Sequence, residues 1–244
     1  MSTVAQSAAS PGGEANRIPP LQNGDRLTRA EFERRYDAMP GLHNAQLIEG
    51  VVHMPSPVSY RGHCNPHFNL IGWLSMYTIG TPGVEGGDNG TLRLDLDNAP
   101  QPDAFLIVLP SHGGQARIDA DDYIAGAPEL VAEVSASTLS IDFHTKLNAY
   151  RRNGVREYLV WRVLDRALDW FVLREGRYDA LAPDADGLHR SEACPGLWLD
   201  TAALIRGDMP AVARAAQQGI ASPEHAAFVA RLQQATQQSP GDGS

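Results

Sequence analysis

Apolar positions recur along the chain in two rhythms. Between residues 63 and 77, Phe68, Ile71, Trp73, Leu74 and Tyr77 keep helical spacing and predict a helix with its apolar face on a core. Residues 104–109 (AFLIVL) and 130–135 (LVAEVS) are nearly continuous apolar runs of strand length, as in central strands covered on both faces. Shorter runs predict strands over 46–53, 91–96, 157–163, 167–173 and 177–181, the last two joined by Glu175-Gly176 as a hairpin turn. Thr28-Arg-Ala-Glu31 is a capping-box pattern that opens a short helix with Phe32 and Tyr36 toward the core. Pro55-Ser-Pro57 is a break, and GTPGVEGGDNG after the 63–77 helix is read as a loop. A helix over 140–153 is stopped by Gly154, and an Ala- and Gln-rich stretch over 223–235 predicts a peripheral helix. The expected class is α/β: a mixed central sheet flanked by helices.

Composition adds boundaries. The 244 residues fit one domain with tails: a leader over 1–24 rich in Ala, Ser, Gly and Pro and expected to be disordered, a domain over 25–205, and a C-terminal helix with a flexible tail over 206–244. No apolar run approaches the ~18 residues a membrane span needs, and the first residues lack the basic start and apolar stretch of a secretory signal. Cys64 and Cys194 stand far apart without a CxxC spacing, which argues against a disulfide framework or zinc ribbon and suits a reducing cytoplasm. A net charge of −9 opposes nonspecific coating of nucleic acid, which relies on clustered Lys and Arg. It leaves room for a metal-dependent enzyme, whose site needs acids. Arg151, Arg152 and Arg156 are available to meet phosphates or, more simply, to form a solvated helix end. The Gly-rich stretch lacks the following Lys-Ser/Thr of a phosphate loop.

Three charges break apolar segments. Glu133 is the sole ionisable group in LVAEVS, and a buried carboxylate costs several kcal/mol unless a metal or cation compensates it. Asp103 stands at the mouth of the other central strand, directly after Pro102, where a turn residue is its bland reading. Lys146 is the only lysine among 20 basic side chains. On a regular helix it falls roughly 20° from the edge of the arc marked by Leu139, Phe143 and Tyr150, so it should point at the sheet. A Glu133–Lys146 meeting follows, and a structural ion pair and a catalytic pair are equally open. His63, Cys64 and His67 invite a zinc reading that lacks a fourth ligand.

The order PDAFLIV, PELVAEVSAST, KLNAY, NGVREYLVW resembles the Uma-type restriction endonuclease family of the PD-(D/E)XK nuclease superfamily, over roughly residues 45–198. The resemblance implies a restriction-endonuclease-like core and Mg²⁺- or Mn²⁺-dependent hydrolysis of phosphodiester bonds, with DNA as substrate and pairing as a homodimer. Asp103 matches the Asp of the family's Pro-Asp, and Glu133 its strand glutamate, the two proposed metal ligands. The superfamily's usual lysine lies two residues after this acid, where this chain has Ser135. In the Uma-type branch a lysine on the following helix takes over, here Lys146. His63 matches a histidine at the family's helix start, and Tyr150, Glu157 and Tyr158 match family positions that core packing also explains. Where the family commonly has a glutamate, this chain has Gln46, with Glu49 three residues on. Two other classes therefore stay open: a weak or inactive relative that binds nucleic acid or a protein, and a metal-dependent phosphoesterase with another substrate.

Overall fold

The computed structural model describes residues 18–54, 56–136 and 141–238. The first 17 residues of the leader, Pro55, residues 137–140 (with Leu139 and Ser140 of the expected helix) and the terminal SPGDGS lie outside them. The first half of the chain holds α1 (Arg29–Asp37), β1 (Gln46–Ile48), β2 (Val51–His53), α2 (Asn65–Gly80), β3 (Val84–Gly87), β4 (Leu92–Arg93), β5 (Ala104–Val108), β6 (Arg117–Ile118) and β7 (Ile124–Ala125). The second holds β8 (Leu130–Ser135), α3 (Leu147–Asn153), β9 (Glu157–Arg162), β10 (Ala167–Arg174), β11 (Arg177–Ala180), β12 (Leu188–Arg190), β13 (Trp198–Asp200), α4 (Thr201–Arg206), α5 (Met209–Ile220) and α6 (Pro223–Gln238). No helix among the described residues is long and apolar enough to cross a membrane.

The main sheet has six strands in the order β11-β10-β9-β8-β5-β3. β8 and β9 are parallel, which requires a crossover, and α3 supplies it; the other neighbours are antiparallel. This is the expected mixed sheet. The two apolar runs become its adjacent strands β5 and β8, every residue of both buried. Strand alternation then sorts their side chains between two cores. Ala104, Leu106, Val108, Leu130, Ala132 and Val134 pack with Leu70, Trp73 and Tyr77 of α2 and with residues of α4, α5 and α6. Phe105, Ile107 and Val131 pack on the other face with Tyr158 and Val160 of β9 and Tyr150 of α3. By the same parity Asp103 and Glu133 belong to the α3 face.

Several expectations are corrected. Residues 46–53 form a hairpin instead of one strand, because Glu49 (φ 51°) and Gly50 (φ 71°) both adopt the left-handed conformation of a two-residue turn. GTPGVEGGDNG is not all loop: β3 lies inside it as an edge strand on β5, where Gly87 leaves room for the Phe105 ring. The strand expected over 91–96 shrinks to β4, which pairs with β7 outside the main sheet. Phe68 turns away from the core and is 75% exposed. Thr28 caps α1 through the Glu31 N–H, but the Glu31 carboxylate binds Arg34 and Arg35 instead of closing the box. After residue 206 there are two helices, not one. Val212 and Ala216 of α5 and Phe228 and Leu232 of α6 are buried in the larger core, so this segment packs as part of the fold and is not peripheral.

Candidate active site

The site is built where β5 begins and β8 ends. Ala104 pairs with Ala132, so one step along the antiparallel ladder Asp103 stands opposite Glu133, with both side chains on one face. Pro102 before the aspartate ends the extended approach to the strand. α3 crosses that face, preceded by a π-helical turn over Ile141–Lys146 that departs from the regular helix assumed for 140–153. Lys146 still reaches the sheet. Its Nζ donates to Glu133 Oε1 at 2.8 Å, and the pair is almost fully enclosed, with Lys146 4% and Glu133 3% exposed. Tyr150, one turn on, donates its hydroxyl to the same oxygen at 2.9 Å.

A second π-helical turn, Tyr60–Cys64, leads into α2 and carries His63. Such turns accompany functional sites often enough that finding both beside one acid pair is informative. His63 Nε2 lies 3.0 Å from Asp103 Oδ1, and the Val134 N–H donates to Asp103 Oδ2 at 2.6 Å. Burial is the largest influence on the Asp103 carboxyl and pushes its pKa up. The His63 hydrogen bond, the Val134 N–H and the Lys146 charge together outweigh it, holding the group below the usual aspartate value. His67, one turn after His63, meets the Asp103 carbonyl oxygen at 2.7 Å and Asp88 at 3.3 Å. Asp103, Glu133, Lys146, His63, His67 and Gln46 all line one cleft of about 870 Å³.

The other expected residues go elsewhere or play smaller parts. Gln46 Oε1 accepts the Gln101 N–H at 3.3 Å. Glu49 sits in the hairpin turn, with Oε2 held by Arg152 at 2.8 Å, and does not line the cleft. Ser135 is buried at the end of β8 on the Glu133 side. The arginines offered for phosphate are committed elsewhere: Arg152 to Glu49 and Asp95, Arg151 to the Gly176 carbonyl, Arg156 to Gln115. The sequence offers Tyr150 only as a packed family position and His67 only as part of a zinc reading, whereas the structure brings both to the acid pair. The signal for Tyr150 was its place four residues after Lys146; that for His67 was its place four after His63. Glu157 points to the opposite face, where Trp170, Ser191 and the backbone N–H groups of Glu192 and Ala193 all donate to it.

The donor set bears on which ion fits. Among the described residues no three His, Cys, Asp or Glu side chains converge into a cage. A hard cation such as Mg²⁺ does not need one: one or two carboxylates hold it, and water and substrate phosphate complete the shell. Two opposed acids at the floor of a cleft fit that requirement.

A mixed sheet flanked by helices, with acids opposed on adjacent strands and a lysine from the covering helix, defines the class of restriction-endonuclease-like α/β proteins. Within it, residues 29–202 match the Uma2 family model, described as "Putative restriction endonuclease", and the chain belongs to that family. At that level it is a nuclease-type protein. Among solved structures it is similar to one from Anabaena variabilis titled a "putative nuclease belonging to DUF820", at 13% identity over 73% of this chain and 99% of that one, with a TM-score of 0.49. No curated protein matches the chain.

Proposed function

We propose that the chain is a metal-dependent endonuclease that hydrolyses phosphodiester bonds in DNA. The observation that carries this reading is the convergence of Asp103, Glu133 and the chain's only lysine at the floor of one cleft. Asp103 and Glu133 would hold Mg²⁺ or Mn²⁺. When bound, the ion would act as a Lewis acid that makes an attacking water more acidic and offsets charge on the phosphate. The protein's own part is preorganisation. His63 and the Val134 N–H fix the two oxygens of Asp103, while Lys146 and Tyr150 fix Oε1 of Glu133. Lys146 also keeps a positive charge where negative charge grows on the phosphate oxygens. Calorimetric titration with Mn²⁺ tests the ligand assignment. Binding by the parent and little by Asp103→Asn or Glu133→Gln is expected, and undiminished binding by both would remove it.

A second reading, binding without cleavage, is favoured by Gln46, an amide where the family commonly has a third acid. If the amide limits the site, Gln46→Glu should tighten Mn²⁺ and raise the cleavage rate. An unchanged or lower rate would mean that two carboxylates suffice.

A further inference from the structure

The cleft is not lined as a site for a phosphate backbone would be. Among the described residues, Lys146 is the only Lys or Arg in its lining, and it is paired with Glu133. The chain as a whole carries −9. Attraction to phosphates, which supplies most of the affinity of ordinary duplex binders, is therefore weak here.

What the cleft offers instead is rings, apolar edges and amides. Phe68 (75% exposed), Leu164 (75%) and Val58 (58%) line it, and Tyr60 (69%) stands at its edge with the exposed Arg61, between the lining residues Ser59 and Gly62. Among the described residues these are half of the large exposed apolar side chains, gathered around the acid pair. Phe68 and Tyr60 flank His63 in sequence, so the segment that fixes Asp103 also presents the rings. Asn44 and Asn89, both exposed, add side chains that donate and accept at once, as nucleobase edges do. In a duplex the base faces are hidden in the stack and cannot meet a protein ring; in a single strand they can.

Resting on the nuclease reading above, we infer that the substrate class of this cleft is unpaired DNA, a single strand or a single-stranded junction arm, with bases stacked on Phe68 and Tyr60 and the backbone carried over Asp103 and Glu133. Binding then depends on base stacking more than on charge, so its salt dependence is shallow.

The test is fluorescence anisotropy with a labelled oligodeoxynucleotide, free or annealed to its complement, in EDTA so that no cleavage occurs, across a salt series. The parent should bind the single strand more tightly than the duplex. Phe68→Ala should weaken single-strand binding roughly 5- to 150-fold, the effect of losing one base–ring stack, and Phe68→Tyr should restore it. At 75% exposure the change leaves the core intact, and an unchanged melting curve verifies this. Equal or tighter binding of duplex, or a Phe68→Ala variant that binds like the parent, overturns the inference. If Phe68→Ala instead splits a dimer without weakening DNA binding, the rings form a subunit contact and the inference fails. Metal-dependent cleavage is scored separately on both substrates. Cleavage of duplex alone sinks the inference and spares the nuclease reading; Phe68-dependent single-strand binding with no cleavage of either does the reverse.

Discussion

Lys146 sends a flexible stem through the core to place its ammonium on Glu133. An arginine there would present a wider planar fork that pairs carboxylates two at a time, capturing Glu133 and competing with the cation. Lys146→Arg should therefore slow single-turnover cleavage about 10²- to 10³-fold with a much smaller change in melting temperature. A collapse of melting temperature without a separate loss of rate would make the pair structural. Glu133→Ala would be a poor probe, since stripping one member from a buried ion pair costs about 3–5 kcal/mol; Glu133→Gln is milder. Asp103 gives a pH signature. Its lowered value in the fold adds stability above the unfolded value of 3.8, and this is lost as pH falls through the folded value. In urea unfolding, the gap between parent and Asp103→Asn should be constant at neutral pH and narrow on acidification below 3.8. A widening gap would mean that the carboxyl is raised. The acid, lysine and aspartate were legible because each interrupts an apolar or otherwise Arg-only pattern. Tyr150 and His67 could be picked out by their helical spacing but not given their parts, because an aromatic or a histidine on a helix breaks no pattern.

Sheet and helix order could be read from the chain wherever burial was complete. β8 was predicted with its observed bounds, Leu130–Ser135, because no polar residue but Glu133 interrupts it. The errors fall where local conformation decides. Gln46 to His53 alternates well enough for one strand, and only the positive φ of Glu49 and Gly50 folds it back. In β3 the glycines that suggested a loop are there because the Phe105 ring fills the space. A Cβ on Gly87 would lie 2.1 Å from Phe105 Cζ, so Gly87→Ala should cost about 1–3 kcal/mol through displaced packing beside Asp103. Chemical unfolding measures it, and parent-like stability would show that the ring moves freely. Glu157 is likewise a tie between elements. It gathers four donors from β10 and the segment after β12, and burial pushes its carboxyl up. Glu157→Ala should cost about 3 kcal/mol by stranding those donors, with the catalytic rate per folded molecule unchanged. A selective rate loss would give it a part in the site.

For the molecule as a whole, the family motifs span strands, crossover and helix in chain order, which is why the sequence carried the core so far. It said less about the C-terminal helices, whose short Ala-rich faces differ little from those of a surface helix. Yet α5 and α6 close the core behind α2, and α2 leads from the turn that holds His63 against Asp103. The fold thus sets the acid pair on the α3 face of the sheet, beside the turn that carries His63, with the cleft as its opening. On the reading proposed above, this opening is a metal-dependent phosphodiesterase site. Its most direct test is incubation of the full chain with DNA, plasmid and single-stranded, in Mg²⁺, Mn²⁺ or EDTA, beside Asp103→Asn. Cleavage by the parent in either metal, absent in EDTA and in the variant, is the predicted result; cleavage that persists in EDTA or in Asp103→Asn, or none by a folded parent that binds Mn²⁺, would contradict it.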